Sequence, residues 1–405
     1  MNPLVVASVL ALVPALGDSG PKAPSASDVQ DAVKRAVPML VEKREAYSET
    51  GGKRSKSGEK PVKKAGVEPR EWPYEGVYRV AGDIPLGYRI GGTSIVATAI
   101  VEAAGGAPQG ESRDAVLGGL DFVLEALEDP RMGPAFEKGY DVRGWGHAYA
   151  LTFLLRLRSA RLVPEKSKKD VEQAVDMLVK RLQETEIGQR GGWNYSRPAG
   201  DASDASTFMT ASTLLALFEA RQQGEKVDVK VVERALTTLE DARIETGAFQ
   251  YGSDKDSHTG KGFEDVPGAI GRMAVCEVAL YLADRGSVER IRSSIAAFFE
   301  HWEWLEKRRK QNGTHVAPYM IAPYYFFYAH RYVAQAIEFL PEAERAASRG
   351  KLHTLLWKVR EDSGGWNDRV FPRSESFGTA MTVLALVEPT LGRPAGWAKQ
   401  ERTGR

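Results

Sequence analysis

The sequence predicts an all-α chain folded as an (α/α)6 toroid, a double ring of six helical hairpins. Three observations carry the prediction: an internal repeat, a strict alternation of two kinds of helix, and the lack of strand signals of any length. The repeat is read directly. Residues 191–217 (GGWNYSRPAGDASDASTFMTASTLLAL) and 364–386 (GGWNDRVFPRSESFGTAMTVLAL, from the second glycine pair onward) share an opening Gly-Gly-Trp-Asn and a closing Phe-x-Thr-Ala-x-Thr-x-Leu-Ala-Leu. A reused unit buries its apolar surface by packing against its own copies, so the repeat sets the architecture.

The first kind of helix is amphipathic. Segments 33–45 (VKRAVPMLVEKRE) and 171–183 (VEQAVDMLVKRLQ) are related, and Val171, Ala174, Val175, Leu178 and Leu182 fall at i, i+3, i+4, i+7 and i+11. That spacing is one apolar stripe with charge opposite. Similar helices are expected near 111–127, 228–243, 287–310 and 342–359. The second kind is apolar nearly all round and must be covered on all sides: 93–103, 147–157, 208–220, 271–283, 319–339 and 377–389. The two kinds alternate six times, with glycine-rich turns between them at Gly144, Gly191-Gly192, Gly247 and Gly364-Gly365. Six covered helices require an inner ring inside six amphipathic ones, with short connections making neighbours antiparallel. An open helical solenoid is the alternative; it needs polar capping helices, and 33–45 shows no extra polar face.

Composition narrows the function classes. The chain has 405 residues, 42% hydrophobic and 27% charged, with a formal charge of +1. A near-neutral balance argues against a nucleic-acid partner. The single cysteine, Cys276, excludes an internal disulfide and a cysteine-rich zinc module, and it reads as a small buried residue. The apolar run Leu4–Leu16 is too short to span a bilayer comfortably and, with Ala15-Leu16-Gly17, reads as a signal peptide over 1–17, with a retained anchor or a simple apolar tail as the alternative. No other segment is long and apolar enough to cross a membrane, so an exported, monomeric protein is expected. The ring should occupy 28–390. A Lys/Gly/Ser/Pro-rich insertion at 48–73 reads as a solvated basic loop and 391–405 as a frayed tail.

The glycine-aromatic turns and the GGWNYSRP segment before an Ala/Leu helix resemble the prenyltransferase and squalene-hopene cyclase repeat superfamily, including exported bacterial toroids. The resemblance spans all six hairpins and is sharp in the third and sixth. It implies the same ring, a central cavity and an apolar or amphipathic small ligand. It does not carry the chemistry across. A class II cyclase protonates an alkene from an Asp-x-Asp-Asp motif, whereas Asp201-Ala202-Ser203-Asp204 has two carboxylates. A prenyltransferase holds zinc through Asp, Cys and His, whereas Cys276 sits within an apolar helix. Neither activity is expected in standard form, and no metal or cofactor is expected.

Candidate site residues follow from the expectation that the cavity opens where the inner helices start, since helix N-termini point donors inward. Asp201, Asp204 and Ser206 precede the third inner helix as caps or ligand contacts, and Glu375 and Ser376 hold the matching place in the sixth. His147 could serve as a base. Arg272, in an apolar helix, needs an acidic partner such as Asp265, Asp201 or Asp204, or an anionic ligand. His315, Tyr319, Tyr324 and Tyr325 lie in the densest aromatic stretch, which either fills core or lines a pocket. Tyr195 neighbours Trp193; Trp193 and Trp366 would staple hairpins or touch ligand. Three functional readings stand: a binder of an apolar or amphipathic molecule in an aromatic cavity, a polysaccharide-active enzyme or sugar binder, and a protein-interaction scaffold.

Overall fold

A computed structural model describes residues 23–47, 66, 68–133, 142–188, 190–195, 204–253 and 260–397. These residues form twelve α-helices: α1 (Ala26–Glu42), α2 (Leu86–Ala103), α3 (Gly110–Leu127), α4 (Arg143–Ser159), α5 (Lys168–Glu184), α6 (Thr207–Gln222), α7 (Val229–Asp241), α8 (Val266–Leu282), α9 (Val288–Arg308), α10 (Tyr325–Ile337), α11 (Glu342–Lys358) and α12 (Ser374–Val387). Among the described residues extended pairing is limited to isolated bridges.

The even-numbered helices form the inner ring. Each packs on the next in order, α2 on α4, α4 on α6, α6 on α8, α8 on α10 and α10 on α12, and α12 packs back onto α2. That last contact closes the circle and rules out an open solenoid. The odd-numbered helices lie outside. α5 buries only Val171, Ala174, Val175, Leu178, Val179 and Leu182, the stripe expected from its spacing. α2, by contrast, is buried from Leu86 to Val101 apart from Arg89. Caps are local: Ser25 and Asp28 form a capping box on α1, and Ser206, Asp228 and Ser287 cap α6, α7 and α9, each satisfying amide groups that the first turn leaves unpaired.

Three boundaries differ from the sequence pattern. The aromatic stretch 319–339 becomes helical only at Tyr325, because Pro323 lacks an amide donor and turns the preceding residue away from the helical region. The basic insertion 48–73 is described only at 66 and 68–73, and its end is packed rather than solvated: Glu71 bridges to Glu45 and Trp72 is 1% exposed. The tail is docked as far as Trp397, which is 2% exposed. The segment 1–17 and residues 398–405 lie outside the described residues.

The two faces of the ring differ in their connections. Turns from an inner to the following outer helix are short, at 104–109, 160–167, 223–228, 283–287 and 338–341. Returns from outer to inner are long, at 43–85, 128–142, 185–206, 242–265, 309–324 and 359–373. All inner helices therefore run the same way, with N-termini on the long-loop face.

Candidate functional site

The long-loop face is organised by a repeated tryptophan staple. Trp193 donates from Nε1 to the Leu182 carbonyl at 2.6 Å, while its amide donates to Thr210 Oγ1 at 3.1 Å. Trp366 does the same with Leu356 (2.8 Å) and Thr379 (3.0 Å). Each tryptophan thus pins the end of an outer helix to the N-terminal half of the next inner one, and neither lines the central chamber described below. Gly192 sits at φ +81, where a Cβ would meet Thr210 Oγ1 at 2.7 Å, so the close approach requires glycine. A third copy escaped the sequence reading: Trp72 bonds Leu40 O at 2.6 Å and Thr93 Oγ1 at 2.9 Å. It is flanked by Glu71 and Pro73 rather than by Gly-Gly and Asn, so the motif does not show.

Two residues beyond each staple, a side chain enters the ring: Tyr74, Tyr195 and Asp368. They join an aromatic plug. Tyr74 lies 4.5 Å from Phe377 and 5.1 Å from Tyr88, and Tyr88 lies 5.4 Å from Trp145. Phe208 packs on Tyr328 at 4.1 Å and on Tyr195 at 5.5 Å. A void of only about 20 Å³ separates these rings, room for about one water. The aromatic residues at the starts of the inner helices therefore fill the ring where an open cavity was expected.

Several candidates converge at this plug. Tyr195 OH lies 3.1 Å from Tyr324 OH, which lies 3.1 Å from His315 Nε2. His315 Nδ1 is 2.6 Å from the Met320 carbonyl, which fixes the proton on Nδ1 and leaves Nε2 to accept from Tyr324. Tyr325 packs beside them, 4.6 Å from Tyr324. Tyr319 is elsewhere, edge-on to Trp304 at 4.7 Å.

The expectation of an acidic partner for Arg272 is corrected. Its guanidinium donates to the carbonyls of Phe249 (2.7 and 3.0 Å), Gly268 (2.8 Å) and Phe263. It ties a loop to α8 through backbone acceptors. Asp204 accepts from Ser253 Oγ at 2.8 Å and so holds the start of α6 to the 250–253 segment; Asp201 lies outside the described residues. Glu375 points outward to Lys43 Nζ at 2.7 Å and to Ser363. His147 is buried, and burial with the nearby Arg181 and Arg143 guanidiniums lowers its pKa to about 3. It is neutral and a very weak base. His330 accepts from Trp302 Nε1 at 2.8 Å, and burial lowers its pKa to about 4. Cys276 is buried against the Thr207 carbonyl, and burial raises its thiol pKa. Among the described residues no three His, Cys, Asp or Glu side chains group to hold a metal ion.

Asp368 was missed. It is 0% exposed, accepts from Tyr74 OH at 3.0 Å, and burial raises its pKa to about 7, opposed by Arg369. The available signal was its alignment with Tyr195 in the second Gly-Gly-Trp-Asn turn, an acid where the first copy has a ring.

The open space lies at the other end. A chamber of about 470 Å³ occupies the C-terminal half of the ring, and none of the candidates drawn from the sequence lines it. Since the inner helices are parallel, position along each gives depth. Ile95, Ala148, Tyr149, Ser212 and Met381 sit deep, against the plug; Thr98, Thr152, Leu215, Ala216 and Leu384 follow; Glu102, Arg156, Glu219 and Glu388 form the rim. Seven residues from Ile95 to Glu102 span about 10 Å at the helical rise. Two pairs of rim charges are joined within the wall, Arg156 with Glu102 at 2.7 Å and Arg331 with Glu388, while Glu219 accepts from Gln223 Nε2 at 2.8 Å. Burial raises the pKa of Glu388, opposed by Arg331. The hydroxyls of Thr98, Thr152 and Ser212 donate back to Ser94, Ala148 and Phe208 carbonyls of their own helices, which leaves oxygen lone pairs as acceptors. The lining is thus mixed, with Tyr149 and Tyr332 its aromatic members, and helix C-termini surround it with partial negative charge.

The fold is shared with solved structures. The α-1,6-mannanase GH76A from Salegentibacter sp. HEL1_6, in an inactive variant with two aspartates replaced and bound to α-1,6-mannotriose, superposes with TM-score 0.54 at 11% identity, covering 89% of this chain and 99% of that one. An apo variant of the type II terpene cyclase MstE from Scytonema gives 0.51 at 14%, covering 90% and 98%. MstE bound to geranylgeranyl dihydroxybenzoate, its substrate, gives 0.50 at 14%, covering 90% and 98%. At these identities the likeness establishes the (α/α)6 toroid. No protein-family model matches the chain, and no curated protein matches it.

Proposed function

We propose that the protein binds an amphipathic small molecule in the chamber at the C-terminal ends of the inner helices, apolar end inward. The lining supports this reading: Ile95, Ala148, Met381 and the Tyr149 ring beside Ser212 at the floor, the Thr98 and Thr152 hydroxyls among Leu215, Ala216 and Leu384 midway, and charged groups at the rim, two pairs of them joined within the wall. An apolar group gains by leaving water at the floor, while a polar head meets acceptors and charges without leaving them unsatisfied. This replaces the wholly aromatic cavity expected from the sequence, whose rings are in the plug. The reading includes export through the 1–17 leader and a monomeric state. No helix among the described residues is long and apolar enough to cross a membrane. N-terminal sequencing of secreted protein would find a start near residue 18, and light scattering would return one chain.

Thermal unfolding with isoprenoid alcohols, alkyl glycosides and fatty acids tests the binding reading. A ligand at a hundredfold its Kd adds about 2.7 kcal/mol to stability, and Ala216→Phe, which narrows the chamber, should reduce the shift. No shift with any amphiphile refutes it. A carbohydrate reading draws support from the carboxylates and guanidiniums of the rim and the hydroxyl acceptors below it. A stabilising oligosaccharide, with no response to amphiphiles, would put it first. A scaffold reading would need a contiguous apolar patch on the rim, and among the described residues the exposed large apolar residues Val229, Val316 and Val370 lie on separate segments.

A further inference from the structure

We infer that Leu391–Trp397 is a releasable strap that governs entry to the chamber. Leaving the end of α12, the chain crosses the C-terminal mouth of the ring and lines it with Leu391, Gly392, Arg393, Pro394 and Ala395. Its far anchor is Trp397. The indole stacks on Phe218 at 5.5 Å, takes the Arg221 guanidinium over its face at 4.0 Å and donates from Nε1 to Glu233 at 3.0 Å, and its amide donates to the Leu282 carbonyl at 2.7 Å. These partners are on α6, α7 and α8. In the ring order α6 stands opposite α12, so the strap spans the diameter. Seven extended residues reach about 24 Å, enough for that crossing.

Between its ends the span is held by side chains more than by backbone bonds: Ala395 is 4% exposed and the Arg393 guanidinium lies 5.4 Å from the Phe339 ring centroid. Among the described residues its backbone amide bonds are those of Leu391 to Glu388 at 3.0 Å and of Trp397 to Leu282. Gly392, Arg393 and Gly396 face solvent. α8, where the strap lands, contributes no side chain to the chamber lining; on that side the strap itself is the wall. Release of the indole therefore leaves only the Ala395 and Arg393 contacts to hold that side of the mouth, whereas the helical walls are fixed by the ring.

The inference rests on the chamber and not on what fills it, so its test needs no ligand. Ser212, deep in the chamber, is replaced in the full chain by Ser212→Cys, and labelling by a small thiol reagent is timed. The parent chain, whose Cys276 is 0% exposed, gives the background. Trp397→Ala should raise the labelling rate about tenfold and Glu233→Leu, which removes the indole's acceptor together with an ion pair to Arg285 and keeps the stack, by a smaller factor. Circular dichroism checks the fold; should Trp397→Ala fail to fold, Glu233→Leu decides alone. Equal rates with and without these changes, or a parent Ser212→Cys chain that labels as fast as a free thiol, overturn the strap and leave the binding reading intact. Failure of every amphiphile in the thermal series would remove that reading and leave the strap.

Discussion

The two ends of the ring are made from the same six helices and have opposite interiors. At the long-loop end, Tyr74, Tyr88, Trp145, Phe208, Tyr328 and Phe377 meet across the axis and leave about 20 Å³. At the short-loop end, Thr98, Thr152, Ser212, Ala216 and Leu384 face the same axis and leave about 470 Å³. The diameter is set by the helices; the size of the residues placed along them decides whether it is filled. One end holds the ring together and the other leaves it hollow.

That contrast can be broken by substitution. Trp193→Ala or Trp366→Ala at the filled end removes a buried ring and a carbonyl's partner together, and should cost about 3–5 kcal/mol in denaturant unfolding. A cost under about 1 kcal/mol would mean the staples do not hold the hairpins. Adjacent leucines on α6 sharpen the comparison within one turn. Leu214, 0% exposed in the wall, should lose about 3 kcal/mol on change to alanine, and Leu215, on the chamber, about 1 kcal/mol, because its removal enlarges an existing space. Equal losses would argue that the chamber is collapsed in solution.

Titration supplies the most specific difference. Asp368 carries a pKa raised from 3.8 to about 7, so between these values the folded chain holds a proton that the unfolded chain has released. Stability from this group is full below pH 4 and falls as pH rises toward 7, by up to about 1.4 kcal/mol per pH unit. Asp368→Asn should flatten that slope. His147 acts with the opposite sense: its pKa is lowered to about 3, so its contribution is full above 6.5 and is lost as pH falls through that window. A variant His147→Gln should lose acid sensitivity while keeping the Asp368 slope. If neither change alters the stability–pH curve, both groups are hydrated in solution.

Much of this was legible in the residues. The stripe of Val171, Ala174, Val175, Leu178 and Leu182 and the all-round apolar character of 208–220 were enough to place outer and inner helices, because covering an apolar helix admits few solutions. The hollow end was placed at the helix starts, the wrong one, although the signal was present. Within α4, Trp145 and Tyr149 come before Thr152 and Ser159, and within α6, Phe208 precedes Ser212 and Ala216: large residues first, small ones later. The helix-start argument weighed backbone donors and left out side-chain volume, and volume won. Arg272 was misjudged for a related reason. A guanidinium reads as needing a carboxylate, but loops folded back on a helix start offer carbonyls, and these are invisible to residue type. Asp204 and Glu375 found partners in Ser253 and Lys43, contacts between segments far apart along the chain that spacing cannot reveal.

The seating of α12 against α2 has one more consequence. An open stack of repeats can fray from its two tips and melt piecemeal; a loop of helices with no tip cannot. Deleting any one hairpin would bare two greasy flanks at once, so unfolding should be a single concerted event despite the modular build. By the same reasoning, joining the native ends and cutting within 223–228 would give a permuted chain whose inner and outer helices keep their neighbours.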